Sequence, residues 1–388
     1  MVKQPVIYLD YAAATPVDPG VLRAMEPYFA DNFYNPSATY GVARNVQQAL
    51  AAARSGVAHW LGARSSEIIF TAGGTEANNL AIHGVMRQFP KGNIVVSSIE
   101  HESVLAPSHN YDCRQAVVQP DGRLDLNDLR QKIDADTVLV SVMYANNEIG
   151  TIQPIREVAR IIAEKLLQRK STVTARQPTP LYFHTDACQA ANYLDLHVAR
   201  LGVDLMTING GKIYGPKQSG ALYVKAGVTL TPLIDGGGQE RGLRSGTENV
   251  AAAIGLAAAL ELVQSGRREE AVRLQALQQD FFKQLEAKLP RAIVNGSRKW
   301  RLPNNAHVTL PGQDNERLLI QLDEAGVMAA AGSACSASSE TPSHVLRALG
   351  LDDAYARASL RFTMGRATGA SQLGSAISTL ARLASPKP

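Results

Sequence analysis

Cysteine is scarce in this sequence, with three residues among 388. Cys113, Cys188 and Cys335 are also widely spaced, which excludes a disulfide framework and a cysteine-rich metal site. We therefore expect no resident metal ion. We also expect any cysteine that takes part in function to act as a free thiol, and we interpret Cys113 and Cys188 as structural.

The sequence also lacks the features of membrane proteins and of nucleic-acid-binding proteins. Its first ten residues contain no apolar signal core, and no apolar run approaches the roughly 18 residues needed to span a bilayer. The 39 basic and 35 acidic residues give a formal charge of +4 without a dense stripe of lysine and arginine. This balance argues against nucleic acid as the main partner and leaves small anionic ligands possible. Because the sequence shows no signal core and no membrane span, we expect a cytoplasmic protein.

The chain is too long for one core of ordinary size, so its length predicts two domains or one large domain with a smaller appendage. Short apolar runs alternate with helical patterns between about Glu67 and Lys225. Their continuous apolarity is typical of strands buried on both faces of a mostly parallel α/β sheet, whose ligands bind at the carboxyl ends of the strands. The predicted strands are 67–70, 93–97, 137–143, 181–184, 203–208 and 221–224.

A long helical stretch, roughly 250–289 with a charged break at 265–270, predicts a connection to a second domain. That domain again alternates strands and helices, but with shorter elements, and predicts a small α+β unit. Its predicted elements are strands at 305–310 and 359–363 and helices at 315–325 and from about 371. The polar, proline-terminated stretch 165–180 predicts a surface loop.

Lys212 has the setting of a lysine that binds an aldehyde. It ends an apolar run and precedes a Gly-Pro turn, so it would be partly desolvated and fixed in direction. Asp186 ends another apolar run upstream. It could cap a helix, but a carboxylate at a buried strand end needs a cationic partner, such as a protonated pyridine nitrogen.

Three further segments lie where ligands of the predicted sheet would bind. Gly74 and Thr75 belong to a glycine turn that opens a helix, a setting that favours a phosphate, although a simple helix cap would explain it as well. His101 follows a buried strand, where it could act near neutral pH or be structural. Asn147 lies in a segment that could be only a turn.

Two segments of the second half also suggest chemistry. Cys335 lies in a small, polar stretch without an apolar anchor, where an exposed thiol would be reactive. Arg361, in a strand-like run, could bind a carboxylate with its planar fork or form a surface ion pair. In the glycine-rich segment 236–247, Arg241 and Arg244 suggest anion binding rather than a flexible linker.

The order of these blocks resembles that of the cysteine desulfurases of the NifS/IscS type, within the class-V aminotransferases. The resemblance extends from Tyr8-Leu-Asp-Tyr-Ala-Ala-Ala-Thr-Pro to Arg361-Phe-Thr-Met-Gly-Arg. It implies a fold-type I enzyme that depends on pyridoxal 5′-phosphate, with a seven-stranded, mostly parallel sheet. The implied large domain is 16–262, and the implied small domain is 1–15 with 263–388.

The resemblance also implies roles for individual residues. Cys335 would be the nucleophile that forms a persulfide, Lys212 would bind the cofactor and remove the substrate α-proton, and His101 would stack on the cofactor and transfer protons. The implied substrate contacts are Asn35, Asn147 and Arg361. The implied cofactor contacts are Gly74, Thr75, His101, Asn147, Asp186, Gln189, Asn209, Gly211, Lys212 and Thr247.

The implied reaction converts L-cysteine to L-alanine and leaves sulfur on Cys335 for an acceptor of iron–sulfur cluster or thio-cofactor assembly. Thr247 would reach the cofactor of a second subunit, which implies a homodimer, and Cys335 could transiently ligate an iron–sulfur cluster. The alternatives are another fold-type I enzyme, such as an aminotransferase or selenocysteine lyase, and a degenerate cofactor-binding scaffold.

Three positions depart from the family pattern. Gly211 stands where the family has a phosphate-binding histidine, so either the phosphate would be bound more weakly or another donor would replace the histidine. Gln218, after Lys217, stands where a glycine is usual, and Tyr40 replaces a frequent histidine.

Overall fold

The computed structural model describes residues 6–172, 179–332 and 342–385, with only the backbone of 170–172. The strands are β1 Ile7–Tyr8, β2 Ile68–Thr71, β3 Asn93–Ser97, β4 Asp112–Ala116, β5 Thr137–Ser141, β6 Tyr182–Asp186, β7 Leu205–Asn209, β8 Gly220–Val224, β9 Ile293–Val294, β10 Asn305–Thr309, β11 Val327–Met328 and β12 Ser359–Thr363. The helices are α1 Pro19–Met25, α2 Pro27–Ala30, α3 Gly41–Leu61, α4 Gly74–Met86, α5 Glu102–Ser108, α6 Leu126–Lys132, α7 Ile155–Thr172, α8 Val198–Leu201, α9 Val250–Ser265, α10 Arg267–Lys288, α11 Asn315–Glu324, α12 His344–Ala348, α13 Asp353–Ala356 and α14 Ala370–Ala384.

The central sheet has seven strands in the order β2-β8-β7-β6-β5-β3-β4. Strand β8 runs antiparallel to both of its neighbours, and all other neighbouring strands are parallel. Every residue of β2, β3, β5 and β8 is buried. The prediction of a mostly parallel α/β sheet with strands buried on both faces is therefore confirmed.

The edge strand β4 is absent from the predicted strands. Its sequence, Asp-Cys-Arg-Gln-Ala, is mostly polar, and only its last residue is buried. It pairs with β3 alone and lies half in solvent, so apolarity could not reveal it.

The remaining strands form two smaller sheets. Strand β10 pairs antiparallel with β9 and β12, and β1 pairs parallel with β11. Helices α10, α11 and α14 contribute apolar side chains to the core around β10 and β12, where the rings of Phe281 and Phe362 lie 5.4 Å apart. The predicted elements of this part of the chain are all present.

The long helical stretch breaks at Gly266, where α9 and α10 meet at an angle of 66°. Among the described residues no single helix is long and apolar enough to span a membrane. In this part of the chain, α9 and α10 reach the required length and hydropathy only when the two helices are counted together.

The prediction of a surface loop over 165–180 is wrong for its first half, because α7 continues to Thr172. Arg169 is buried and donates hydrogen bonds to the carbonyls of Thr137 at 2.8 Å and Thr179 at 3.1 Å. A polar side chain thus anchors the end of this helix, and a polar anchor leaves no apolar period in the sequence. Residues 173–178 lie outside the described residues.

Substitution Phe281→Ala should destabilise the second core. The ring is fully buried, so its removal should lower the free energy of unfolding by about 3–5 kcal/mol, measured by urea denaturation. Val272→Ala on the same helix is the control, because Val272 is 68% exposed and should cost under about 0.5 kcal/mol. Equal losses for both variants would contradict this picture of the core.

Candidate functional site

A cleft at the carboxyl ends of the central strands contains most of the predicted site residues. It is lined by Gly74, Thr75, His101, Asn147, Asp186, Gln189, Asn209, Lys212 and Arg361. Gly211 lines an adjoining part of the cleft, which shares Lys212 with the first. The sheet therefore brings together residues that are up to 287 positions apart in the chain, from Gly74 to Arg361 (361 − 74).

Asp186 is the buried acid of the cleft, with 6% of its surface exposed. One carboxylate oxygen accepts the backbone N–H of Cys188 at 2.9 Å, and the other accepts the side-chain amide of Asn78 at 2.7 Å. Both donors are neutral, so they orient the carboxylate without compensating its charge. A cation in the cleft would supply the missing compensation.

Lys212 ends a short 3-10 turn, Gly210–Lys212, that follows β7. Its ammonium group donates to the carbonyl oxygens of Ala12 at 3.0 Å and Ala13 at 2.5 Å. Its own carbonyl accepts the side-chain amide of Asn192 at 2.7 Å. The backbone and the amine of Lys212 are thus both fixed in direction.

The amino end of α4 forms the anion-binding end of the cleft. Gly73 precedes the helix with φ 126°, a left-handed conformation, and an added Cβ there would meet no atom within 4 Å. A Cβ on Gly74 would lie 2.9 Å from the sulfur of Cys188, which explains the glycine. The first N–H groups of a helix have no acceptor within it and carry partial positive charge, so this end suits a phosphate.

These features fit pyridoxal 5′-phosphate. The open helix end suits its phosphate, the carboxylate of Asp186, with its neutral hydrogen-bond donors, suits its protonated ring nitrogen, and the amine of Lys212 suits its aldehyde. The three groups line connected parts of one cleft.

His101 is the first residue before α5, and its ring caps this helix. The ring atom Nδ1 accepts the backbone N–H of Ser103 at 3.1 Å and lies 2.8 Å from the hydroxyl of Ser103. That hydroxyl accepts the amide of Asn78 at 2.8 Å, so its proton is directed to Nδ1. We therefore assign the proton of the neutral ring to Nε2, where His101 acts as a donor.

Glu100 is fully buried directly before His101, and sequence reasoning assigned it no role. One carboxyl oxygen, Oε1, accepts the backbone N–H of Met143 at 2.8 Å and the hydroxyl of Ser97, whereas Oε2 has no hydrogen-bond partner among the described residues. Burial is the main cause that raises the pKa of Glu100, to about 8; the hydrogen bonds from Ser97 and Met143 partly oppose this rise, and the negative charge of Asp186 adds to it. A neutral carboxyl group is therefore expected below this pH.

Arg361 is 1% exposed and is already paired within the chain. Its guanidinium group forms an ion pair with Asp10 at 2.6 Å and donates to the carbonyl of Asn147 at 3.1 Å. Its Nε has no hydrogen-bond partner among the described residues. A surface ion pair is thus the wrong interpretation for Arg361, and Asp10 was missed because a lone acid near the N-terminus has no sequence signal.

Two predicted residues lie outside this cleft. Asn35 is exposed, and its side-chain oxygen accepts the N–H of Ser37 at 2.9 Å in a local turn. Thr247 is exposed at the end of the glycine-rich segment. Cys335 lies outside the described residues.

Arg241 and Arg244, for which the sequence suggests anion binding, hold the glycine-rich segment 236–247 to strand β2 and to helix α4. Arg241 donates to the carbonyl of Ile68 at 2.6 Å, and Arg244 forms an ion pair with Glu76 at 3.0 Å. Both arginines therefore have partners within the chain, and the sequence alone does not show these partners.

Gly332 and Ser343, on either side of 333–341, both lie beside the side chain of Glu148. Ser343 donates its hydroxyl to Glu148 at 2.6 Å, and a Cβ on Gly332 would lie 3.4 Å from the same oxygen. Glu148 follows Asn147, which lines the cleft. The segment that contains Cys335 therefore begins and ends beside the cleft.

Substitution Glu100→Gln should flatten the pH dependence of stability. In the unfolded chain this carboxyl group ionises near pH 4.5, but in the folded chain it stays protonated to about pH 8. The unfolded state then binds fewer protons between these values, so the free energy of unfolding of the wild type falls as pH rises through this window. Glutamine is neutral throughout and should remove this part of the slope.

The measurement is urea denaturation at pH 5, 6, 7 and 8, with the exposed Glu261→Gln as the control. The Glu100→Gln variant should gain stability relative to the wild type as pH rises, whereas the control should follow the wild type. Parallel curves for all three proteins would show that Glu100 ionises normally in the folded state.

Comparisons with known proteins place these observations in a family. The family model described as aminotransferase class-V matches residues 7–370. The chain is 41% identical over 384 residues to the cysteine desulfurase IscS of Dictyoglomus turgidum, which covers 97% of this chain and 94% of that protein. It is 40% identical to cysteine desulfurase IscS 1 of Archaeoglobus fulgidus, with 92% of each chain covered.

Solved structures agree with these relatives. A NifS-like protein superposes with a TM-score of 0.89 at 30% identity, over 97% of this chain and 99% of the other. The structure of SspA in complex with cysteine superposes with a TM-score of 0.78 at 35% identity, over 92% and 98% of the two chains.

Proposed function

The chain belongs to the class-V aminotransferase family and is a cysteine desulfurase that uses pyridoxal 5′-phosphate; from this premise we propose a role for each side chain of the cleft. The observation that carries the proposal is the cleft itself, in which Lys212, Asp186 and the amino end of α4 lie together.

When bound, pyridoxal 5′-phosphate supplies an aldehyde that reacts with amines and a protonated ring that accepts an electron pair. Asp186 would hold the ring nitrogen, oriented by Asn78. Gly74 and Thr75 would hold the phosphate, and Gln189 and Asn209, which line the same cleft, would hold the remaining polar groups of the ring. Lys212 would bind the aldehyde.

Arg361 would bind the α-carboxylate of L-cysteine, with Asn147 beside it. Because its guanidinium group is buried and paired with Asp10, the substrate must share or displace this ion pair. Asp10 keeps the buried cation compensated while no substrate is bound, which lowers the cost of burying Arg361. Asn35 is exposed in this chain, so any substrate contact from it would have to reach the cleft of a second chain.

Lys212 and His101 would move protons. Lys212, released from the carbonyls of Ala12 and Ala13, would take the proton from the substrate α-carbon. The neutral ring of His101 presents an N–H at Nε2, so in this state it donates a hydrogen bond and cannot take the thiol proton there. It would donate a proton only from its doubly protonated form. Its ring would also lie against the face of the cofactor, which it borders in the cleft.

Cys335 would be the nucleophile. Its thiolate would attack the sulfur of the substrate, so that the substrate C–S bond breaks and an S–S bond forms, giving L-alanine and a persulfide on Cys335. The neighbouring backbone supports this role, because Ala330 exchanges two backbone hydrogen bonds with Arg361, at 2.6 and 3.1 Å. Cys335, the proposed nucleophile, lies five residues after Ala330 in the sequence (335 − 330). Ala330 is paired with Arg361, the proposed carboxylate-binding arginine.

Substitution Cys335→Ala should abolish sulfur transfer without abolishing cofactor binding. We expect formation of L-alanine from L-cysteine to fall at least about 100-fold, with no protein persulfide detected by mass spectrometry. Cys113→Ala is the matched control, because Cys113 lies on the edge strand β4, where burial raises its pKa to about 11. Full alanine formation by Cys335→Ala would instead favour a lyase or aminotransferase without a cysteine nucleophile.

We also propose a homodimer in which Thr247 reaches the cofactor phosphate of the partner. The segment that carries Thr247 is held rigidly by two contacts of 2.6 Å between Arg54 and Glu240, while Thr247 itself is exposed. An exposed aromatic patch supports an interface: Phe33, 65% exposed, stacks on Tyr34, which contacts Tyr40 edge-on.

Substitution Thr247→Ala should weaken cofactor binding even though Thr247 lies outside the cleft of its own chain. Loss of a hydrogen bond to a charged phosphate should reduce the affinity about 10-fold or more, measured by titration of the apoprotein. Sedimentation should show a dimer for both wild type and variant. A monomeric wild type, or unchanged affinity in the variant, would contradict the proposed role of Thr247.

Three further properties complete the proposal. The sulfur of Cys335 would pass to an acceptor protein, such as a scaffold for iron–sulfur clusters, in the cytoplasm. Cys335 could also transiently ligate such a cluster. Residues 16–262 would form the large domain, and 1–15 with 263–388 the small one, in line with the separate core around β10 and β12.

A further inference from the structure

The phosphate end of the cleft needs a cation. A phosphate monoester carries about −1.5 to −2 charges near neutral pH, and a helix end supplies only about +0.5. Lys212 lines this end but is assigned to the aldehyde. The other lysine in the lining is Lys217, which lies there with Gly73, Gly74 and Thr75.

Lys217 has hydrogen-bonding capacity to spare. Its ammonium group donates one hydrogen bond, to the carbonyl of Thr15 at 2.9 Å, and an ammonium group has three N–H donors. Among the residues that the structure describes, no carboxylate forms an ion pair with it. Glu76, the acid of the same lining, is held by Arg244 at 3.0 Å and by the N–H of Ala72 at 3.0 Å.

The side chain of Lys217 lies beside Gly211. A Cβ on Gly211 would lie 3.7 Å from both Cα and Cγ of Lys217, so the stem of Lys217 covers the side where a residue 211 side chain would begin. These are ordinary contact distances, and the φ of Gly211 is not left-handed, so the backbone does not require glycine. The stem of Lys217 therefore borders the space beside the Cα of Gly211.

The residue after Lys217 adopts a costly backbone conformation. Gln218 has φ 57°, in the left-handed region that non-glycine residues rarely adopt. It lines the same part of the cleft and is exposed. Such strain persists where surrounding structure holds it, often at functional sites, and here it belongs to the turn that presents Lys217.

We propose that Lys217 binds the phosphate of pyridoxal 5′-phosphate and supplies the positive charge that no side chain at position 211 provides. This proposal depends on the proposed cofactor site. It concerns the phosphate alone, so it can be separated from the aldehyde chemistry of Lys212.

The test compares pyridoxal 5′-phosphate with pyridoxal, which has the same aldehyde but no phosphate. Both are titrated into apoprotein, with binding followed by visible absorption. Substitution Lys217→Met should weaken the binding of pyridoxal 5′-phosphate about 10- to 100-fold and change the binding of pyridoxal less than about twofold. Lys217→Arg keeps the charge and should stay within about threefold for both.

Lys91→Met is the matched control, because Lys91 is an exposed lysine outside the cleft. It loses the same charge and should bind both compounds as the wild type does. Inorganic phosphate should compete with pyridoxal 5′-phosphate in the wild type and about 10-fold less effectively in Lys217→Met.

Equal weakening of both compounds, or weakening of neither, in Lys217→Met would overturn the proposal for Lys217. Failure of the wild type to bind either compound would instead refute the proposed cofactor site. Because Lys217 is exposed, its substitution should leave the folded state intact, and thermal unfolding of the apoprotein checks this directly.

Discussion

The N-terminal segment from Ile7 to Thr15 is the contact on which the cleft depends. Its first residues pair with β11, and Asp10 forms an ion pair with Arg361. The carbonyls that follow accept the ammonium groups of Lys212 and Lys217, and the Thr15 hydroxyl accepts the N–H of Tyr214 at 2.8 Å. One short segment thus links the sheet that carries the lysines to the part of the chain that carries the arginine.

The buried charges of Arg361 and Asp186, which both line the cleft, are stabilised in different ways. Arg361 is buried with a counter-ion from its own chain, so its charge costs little before a ligand arrives. The hydrogen bonds of Asp186 come from neutral groups, so it gains most when a cation binds. Glu100, buried behind them, avoids the cost by remaining neutral.

The sequence predicts the parts of this structure whose signal lies in the side chains. Strands buried on both faces are continuous apolar runs, and Asp186 and Lys212 end such runs at the ligand-binding edge. The edge strand β4 was missed because half of it faces solvent. The carbonyls of Ala12 and Ala13 were missed because backbone atoms carry no residue signal, and Asn78 was missed because it lies inside a helix.

Errors in the interpretation of charged residues have a common cause. Arg241, Arg244 and Arg169 all serve as internal braces, donating to carbonyls or to a nearby acid. A sequence shows the charge but not the distant partner, which becomes adjacent only through folding. The orientation of His101 is a similar case, because it depends on Ser103 and Asn78 together.

Ser343 donates its hydroxyl to Glu148, and a Cβ on Gly332 would lie 3.4 Å from the same oxygen, so residues 332 and 343 lie close together. The closure entropy of a segment with joined ends rises only by about 0.6 kcal/mol for each doubling of its length. The stability of the sheet therefore depends little on the number of residues between Gly332 and Ser343. A change in the length of this part of the chain should therefore need no compensating change elsewhere in the protein.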